Sequence, residues 1–160
     1  MKPLKLALVP VFALALANAG WAGDVAAGDV MYDDGAVAAS LTGMAGDPAA
    51  GKKVMTTRGQ GNCIACHTVS SLSEFAFHGE IGPTLDGAGS RWTEAQLRGI
   101  VSDAKKTFDG SMMPSFYKKS GYIRPGNGFS GKAASEDELS TLLTAQQIED
   151  VVAYLQTLKD

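Results

Sequence analysis

The pentapeptide Cys63-Ile64-Ala65-Cys66-His67 constrains the fold of this chain more than any other segment. In one helical turn the two thiols face the same side, and a C-x-x-C-H pattern is typical of c-type haem attachment. The thiols add to the two vinyl groups of the haem, and the histidine that follows reaches the iron. The pattern therefore predicts one covalent haem c, held by Cys63 and Cys66, with His67 as an axial ligand of the iron.

Three other uses of the cysteines fit the sequence less well. A thioredoxin-like dithiol requires a βαβ context, for which the sequence gives no signal. A zinc site needs further ligands, whereas the chain has two cysteines and only one other histidine, His78. A disulfide across two intervening residues is strained.

The sixth position of the iron has candidates in Met112, Met113 and His78. Pro114 biases the residue before it to an extended backbone, so we predict Met113 as the second axial ligand and keep Met112 as the alternative. A thioether ligand raises the haem potential and closes the iron to substrates. We expect His78 to be exposed or lightly packed.

The segment after the haem motif carries three further candidates for the haem site. A ligating histidine usually donates its other N–H to a carbonyl or carboxylate, and the Pro83 carbonyl is placed to accept it. We expect Leu85 to pack on the imidazole ring. Arg91 is a candidate donor to a haem propionate and equally an ordinary surface charge.

The helix signals predict a mainly α fold of short helices and loops around the haem. Asp47 and Pro48 mark the start of a helix that runs to about Arg58. A second helix is predicted from Thr93 to Ala104, with its apolar face turned inward. The predicted inward residues of this helix are Leu97, Ile100 and Val101.

The last helix begins with the capping box of Thr144 and Gln147. Glu149 and Asp150 lie in its first turns, where acidic side chains suit the helix dipole. Its apolar residues recur at helical spacing along one face. These residues are Ile148, Val151, Val152, Leu155 and Leu158.

The N-terminal residues divide into two segments that precede the cytochrome c domain predicted for residues 47–160. Residues 1–22 have the basic, apolar and small-residue regions of a signal peptide, cleaved after Ala19 or after Ala22. We therefore expect an exported, periplasmic protein with no membrane span in the mature chain. Residues 23–46 form an extended arm of small and acidic residues, which we expect to stay mobile or to lie on a partner.

The charge of the chain excludes one class of function. The formal net charge is -3 over 160 residues. We therefore expect no nucleic acid partner of the kind bound by phosphate neutralisation.

Beyond the haem motif, the chain resembles the SoxX family, the monohaem subunits of the SoxAX cytochromes of periplasmic thiosulfate oxidation. A polar insertion, residues 118–140, departs from the family and takes no role from it. The matching stretches are Gly46–Gly51, Gly61–His67, Gly79–Arg91, Met113–Tyr117 and Leu143–Leu155.

The resemblance implies a class I cytochrome c fold with His/Met ligation and a heterodimer with a SoxA-like cytochrome subunit. It also implies the enzyme activity of the complex, an L-cysteine S-thiosulfotransferase that couples thiosulfate oxidatively to a cysteine of a SoxY-like carrier. Electrons then leave to a cytochrome acceptor. Both cysteines of this chain are used by the haem, so we expect no catalytic residue here and the bond-making cysteine on another chain. A free-standing electron shuttle and an enzyme acting at an open iron, such as a peroxidase, are the alternatives.

Overall fold

The computed structural model describes residues 23–123, 125 and 132–160. The predicted signal peptide and part of the insertion lie outside these residues. In the described ranges there are four α-helices and no β-strand, only an isolated antiparallel bridge between Asp33 and Ala36. No described helix is long and apolar enough to cross a membrane. The helices are α1 (Pro48–Thr56), α2 (Ala88–Arg91), α3 (Glu94–Asp103) and α4 (Ala145–Thr157).

Helix α1 begins where the sequence predicts and packs across α4. The Asp47 side chain accepts from the Ala49 amide at 2.8 Å, which satisfies one free amide of the first turn. The crossing is close, because a Cβ on Gly51 would lie 2.0 Å from the carbonyl oxygen of Asp150. Only a glycine at this point lets the backbones of the two helices approach so closely.

Both longer helices that follow α1 start with complete capping boxes, in which Thr93 pairs with Gln96 and Thr144 with Gln147. The apolar face predicted for α4 is buried along its whole length. On α3 the prediction is wrong at one position, since Ile100 is only half-buried. Arg98 is buried there instead, with 3% of its surface exposed.

The segment 23–46 packs on the helices of its own chain, so the expectation that it stays mobile is wrong, while its contact with a partner stays a prediction. Val37 and Leu41 are 3% and 1% exposed and belong to the main apolar core. The Val37 amide donates to the Ala95 carbonyl at 2.9 Å, and the Val25 amide donates to the Leu41 carbonyl at 2.7 Å. A few apolar side chains suffice because α3 and α4 provide the surface that the segment itself lacks.

A buried ion pair fixes this segment to both helices. Arg98 Nε lies 2.9 Å from Oε1 of Glu149, which is 4% exposed. The same carboxylate oxygen accepts from the Leu41 amide at 2.6 Å, and Arg98 Nη1 donates to the Val37 carbonyl at 2.9 Å. Glu149 therefore serves tertiary contacts rather than the solvent-facing dipole role that its position in the first turns suggested.

Candidate haem-binding site

Cys63 begins a 3-10 turn, Cys63–Ala65, that follows Asn62, and Cys66 is the residue that caps its end. Asn62 has the left-handed backbone (φ 45°), and the amides of Cys66 and His67 both donate to the Cys63 carbonyl, at 3.1 and 3.0 Å. The turn thus brings the two cysteines and the histidine together. Both thiols are free and half-buried, which leaves each of them available for attachment.

The surroundings of Cys63 disfavour the thiolate that a redox dithiol requires. Burial raises the pKa of the Cys63 thiol to about 12, and the neighbouring Cys66 adds to the rise. Reactive cysteines have instead a lowered pKa and an electropositive surrounding. Cys63 therefore lacks the lowered pKa that is typical of a redox-active cysteine.

The His67 imidazole is oriented by the backbone carbonyl of Pro83, as the sequence predicted. Its Nδ1 lies 2.7 Å from the Pro83 carbonyl oxygen. Because a carbonyl only accepts, Nδ1 carries the hydrogen and Nε2 keeps its lone pair for a metal. This is the arrangement that holds a ligating histidine in one tautomer and one ring orientation.

Gly82 packs directly against the imidazole, a contact that sequence reasoning did not predict. A Cβ at this position would lie 2.2 Å from Cε1 of His67 and 2.5 Å from Nδ1. The Gly82 amide donates to the Cys66 carbonyl at 2.8 Å, which holds the loop alongside the haem motif. The Gly82-Pro83 pair was the feature of the sequence that could have indicated this contact. When the Pro83 carbonyl reaches the imidazole, no space is left for a side chain on the residue before it.

Arg91 and Leu85 shape the next part of the loop. The Arg91 guanidinium donates to the carbonyls of Thr84, at 3.0 Å, and Asp86. Leu85 packs against the main core, and its amide donates to the Thr68 carbonyl at 3.0 Å. Arg91 thus braces the loop that follows Pro83, and its contact with a propionate stays a prediction.

The two methionines of the distal loop have different environments. Met112 is 83% exposed, whereas Met113 is half-buried and packs against the apolar core. The inward side chain is the one that the backbone restriction by Pro114 favours. The structure therefore supports Met113 over Met112 as the candidate ligand.

His78 is more buried and makes more specific contacts than the exposed or lightly packed position that we expected. Its Nδ1 accepts from the Val69 amide at 3.2 Å, so Nε2 carries the hydrogen. Nε2 is buried and has no hydrogen-bond partner among the described residues. His78 therefore supports the loop next to the haem motif rather than lying free on the surface.

Taken together, these residues fit haem c. Two free thiols lie on one turn, one imidazole has a fixed Nδ1–H and an open Nε2, and one thioether is turned inward. Thiols, imidazole and thioether are the protein groups used by cytochromes c. The described residues contain no cluster of three or more His, Cys, Asp and Glu side chains that offers an alternative metal site.

Comparison with known proteins gives a consistent result. The cytochrome c family model matches residues 48–159. The chain belongs to the cytochrome c family. This family assignment confirms the predicted fold class and the covalently bound haem c as the cofactor.

A solved structure narrows the assignment within the cytochromes c. The crystal structure of SoxXA from P. pantotrophus contains a chain 58% identical to this one, with a TM-score of 0.82. The match covers 86% of this chain and 99% of that chain. It confirms the resemblance to SoxX, and with it the role of an electron-transfer subunit. No curated protein matches the chain.

Proposed function

We propose that this cytochrome c is the electron outlet of a periplasmic SoxXA-type complex, in which a SoxA-like subunit is its partner. The observation that carries the proposal is the His67–Pro83 hydrogen bond beside two free thiols, in a chain 58% identical to one of the SoxXA structure. The residue pattern of positions 1–22 supports export, with cleavage after about Ala22.

Each residue of the site has a proposed role. Cys63 and Cys66 would hold the haem covalently, and His67 and Met113 would bind its iron. Pro83 keeps the imidazole in the tautomer whose Nε2 lone pair is available to a metal. When bound, the haem supplies a one-electron redox couple whose potential the thioether raises.

The number of cysteines in this chain indicates that the thiol that receives thiosulfate belongs to another chain. Coupling thiosulfate to a cysteine forms one S–S bond, releases one proton from the thiol and removes two electrons. The chain contains two cysteines in total, and both belong to the haem motif. The thiol that receives thiosulfate is therefore on another chain, a SoxY-like carrier, and any catalytic cysteine belongs to the SoxA-like partner. A small cytochrome accepts the electrons.

The surface beside the haem motif also fits a protein partner. Phe77 and Ile81 are 95% and 70% exposed. They lie in the loop whose Gly79 amide donates to the Ile64 carbonyl at 2.8 Å. Large exposed apolar side chains next to a redox site are suited to a covered interface. Residues 23–46 pack on their own domain, and their contact with the partner stays a prediction.

The proposal is tested first on the complex. The native periplasmic protein should co-purify with a second cytochrome, and mass spectrometry of the denatured chain should show the added mass of one haem. The isolated subunit should be reducible but inactive in thiosulfate conjugation, and activity should return when the partner is added. Thiosulfate-dependent turnover by this chain alone contradicts the division of roles. Failure to find a partner favours the free electron shuttle.

The iron ligands are tested by a matched pair of variants. Met113→Ala should abolish the red methionine-to-iron charge-transfer band and lower the reduction potential. Met112→Leu should change neither, because Met112 is exposed. The opposite pattern makes Met112 the ligand, and a wild-type protein without the band favours an open iron and peroxidase-like chemistry.

A further inference from the structure

The loop that carries Met113 is fastened to the C-terminal end of α3. Ser115 Oγ donates to Oδ1 of Asp103 at 2.5 Å. Lys105 Nζ donates to the carbonyl oxygen of Met113 itself at 2.5 Å. These contacts hold the loop on both sides of Pro114, whose ring fixes its own φ.

The contact between Asp103 and Ser115 is the stronger of the two. Asp103 and Ser115 are each 8% exposed, whereas Lys105 is exposed to solvent. A buried hydroxyl that donates to a carboxylate forms a short, charge-assisted hydrogen bond. An exposed lysine contributes less, because water screens its charge and its long side chain loses entropy.

The residues that follow Ser115 are also held in place. The Tyr117 amide donates to the Ser102 carbonyl at 3.0 Å. The Phe116 carbonyl accepts from the Leu143 amide at 3.0 Å, which ties the loop to the residues before α4. The segment Ser115–Tyr117 is therefore held by hydrogen bonds at each residue, and the Asp103 contact is the first of them after Pro114.

We propose that Asp103, acting through Ser115, is a positioning residue that holds Met113 at the haem iron. The inference rests on the proposed role of Met113 as axial ligand. Only Pro114 lies between Met113 and Ser115, so a fixed Ser115 restricts how far the thioether moves away from the iron. Loss of the Ser115 hydroxyl should raise the population in which Met113 has left.

The test is imidazole binding to the ferric holoprotein, together with its reduction potential. Imidazole binds only where Met113 has left, so its apparent affinity rises with that population. Ser115→Ala should bind imidazole about tenfold more tightly, the effect of losing one charge-assisted hydrogen bond. Its reduction potential should fall at the same time. Asp103→Asn should change the affinity in the same direction by about threefold, because a neutral amide oxygen is a weaker acceptor.

Ser40→Ala is the matched control. The Ser40 hydroxyl also donates to a buried carboxylate, that of Glu149, at 3.2 Å. Ser40 belongs to the segment 23–46 and not to the loop that carries Met113. This variant should leave the imidazole affinity and the potential unchanged. An equal rise of affinity in Ser40→Ala indicates general loosening of the fold and overturns the inference.

The other outcomes separate the inference from the proposed function. If the imidazole affinity is unchanged in both Ser115→Ala and Asp103→Asn, the positioning role of Asp103 is overturned. Loss of the charge-transfer band in Met113→Ala would still support Met113 as the axial ligand in that case. A band that survives Met113→Ala removes the ligand assignment and the inference with it.

Discussion

The buried ion pair between α3 and α4 makes Glu149→Gln the most informative test of this fold. The substitution keeps the shape of the side chain and one oxygen that accepts from the Leu41 amide. It removes the negative charge that faces Arg98, which is 3% exposed. Besides neutral acceptors such as the Val37 carbonyl, the guanidinium is then left with Glu94 as its charged partner, whose side chain is 63% exposed.

The magnitude follows from this loss of charge. Breaking one partner of a buried ion pair costs about 3–5 kcal/mol of unfolding free energy. The lower end applies here, because Arg98 keeps the contacts with Val37 and Glu94. A loss of about 3 kcal/mol in a domain of this size should lower Tm by roughly 10 °C. The double variant Arg98→Met/Glu149→Gln should lose less than the sum of the two single variants, since the pair is lost only once.

The assay is thermal unfolding of the holoprotein, combined with limited proteolysis. Because Glu149 anchors Leu41, cleavage within residues 23–46 should become faster in Glu149→Gln. Glu74→Gln is the matched control, since it removes the same charge from a pair with Lys52 at 2.7 Å whose side chains are 52% and 41% exposed. This control should leave Tm unchanged. Equal Tm values for both variants refute the anchoring role of the buried pair.

Three further predictions concern the haem loop and the helix crossing. Gly82→Ala should displace the His67 ring and reduce the haem-to-polypeptide ratio, and a full haem content contradicts that packing. Hydrogen bonds from the Ser70 hydroxyl, and then from its amide, lower the pKa of Asp86. The stability from this carboxylate is therefore present above its ordinary pKa and lost as pH falls through the lowered value. Asp86→Asn should flatten the decline of Tm below about pH 4, although solvent keeps the difference small. Gly51→Ala should lower the free energy of unfolding by about 3 kcal/mol, measured by chemical denaturation, because α1 and α4 must separate to fit the methyl group. Gly28→Ala is the control and should leave the free energy of unfolding unchanged, because the space at its Cβ is open. Equal losses in these two glycine variants would argue against a close crossing.

The sequence by itself determined the features encoded within a few residues. The haem motif, the capping boxes and the apolar face of α4 each lie within one to four turns, so neighbouring residues suffice to specify them. The helix starts at Asp47 and Thr144 were predictable for that reason. The His67–Pro83 hydrogen bond spans 16 residues and was still predictable, because a ligating histidine requires such an acceptor.

Only the tertiary structure decided which charged and polar residues are buried and connect the helices and loops. Arg98 and Glu149 are 51 residues apart, and Glu149 and Leu41 are 108 apart. Nothing next to these residues in the sequence distinguishes them from surface charges, since a charge is buried only when a distant partner meets it. The same holds for Ser115 and Asp103 in the distal loop. The segment 23–46 has too few apolar side chains to fold alone. It is ordered because it packs against α3 and α4, which supply the apolar surface and the hydrogen-bond partners that it lacks.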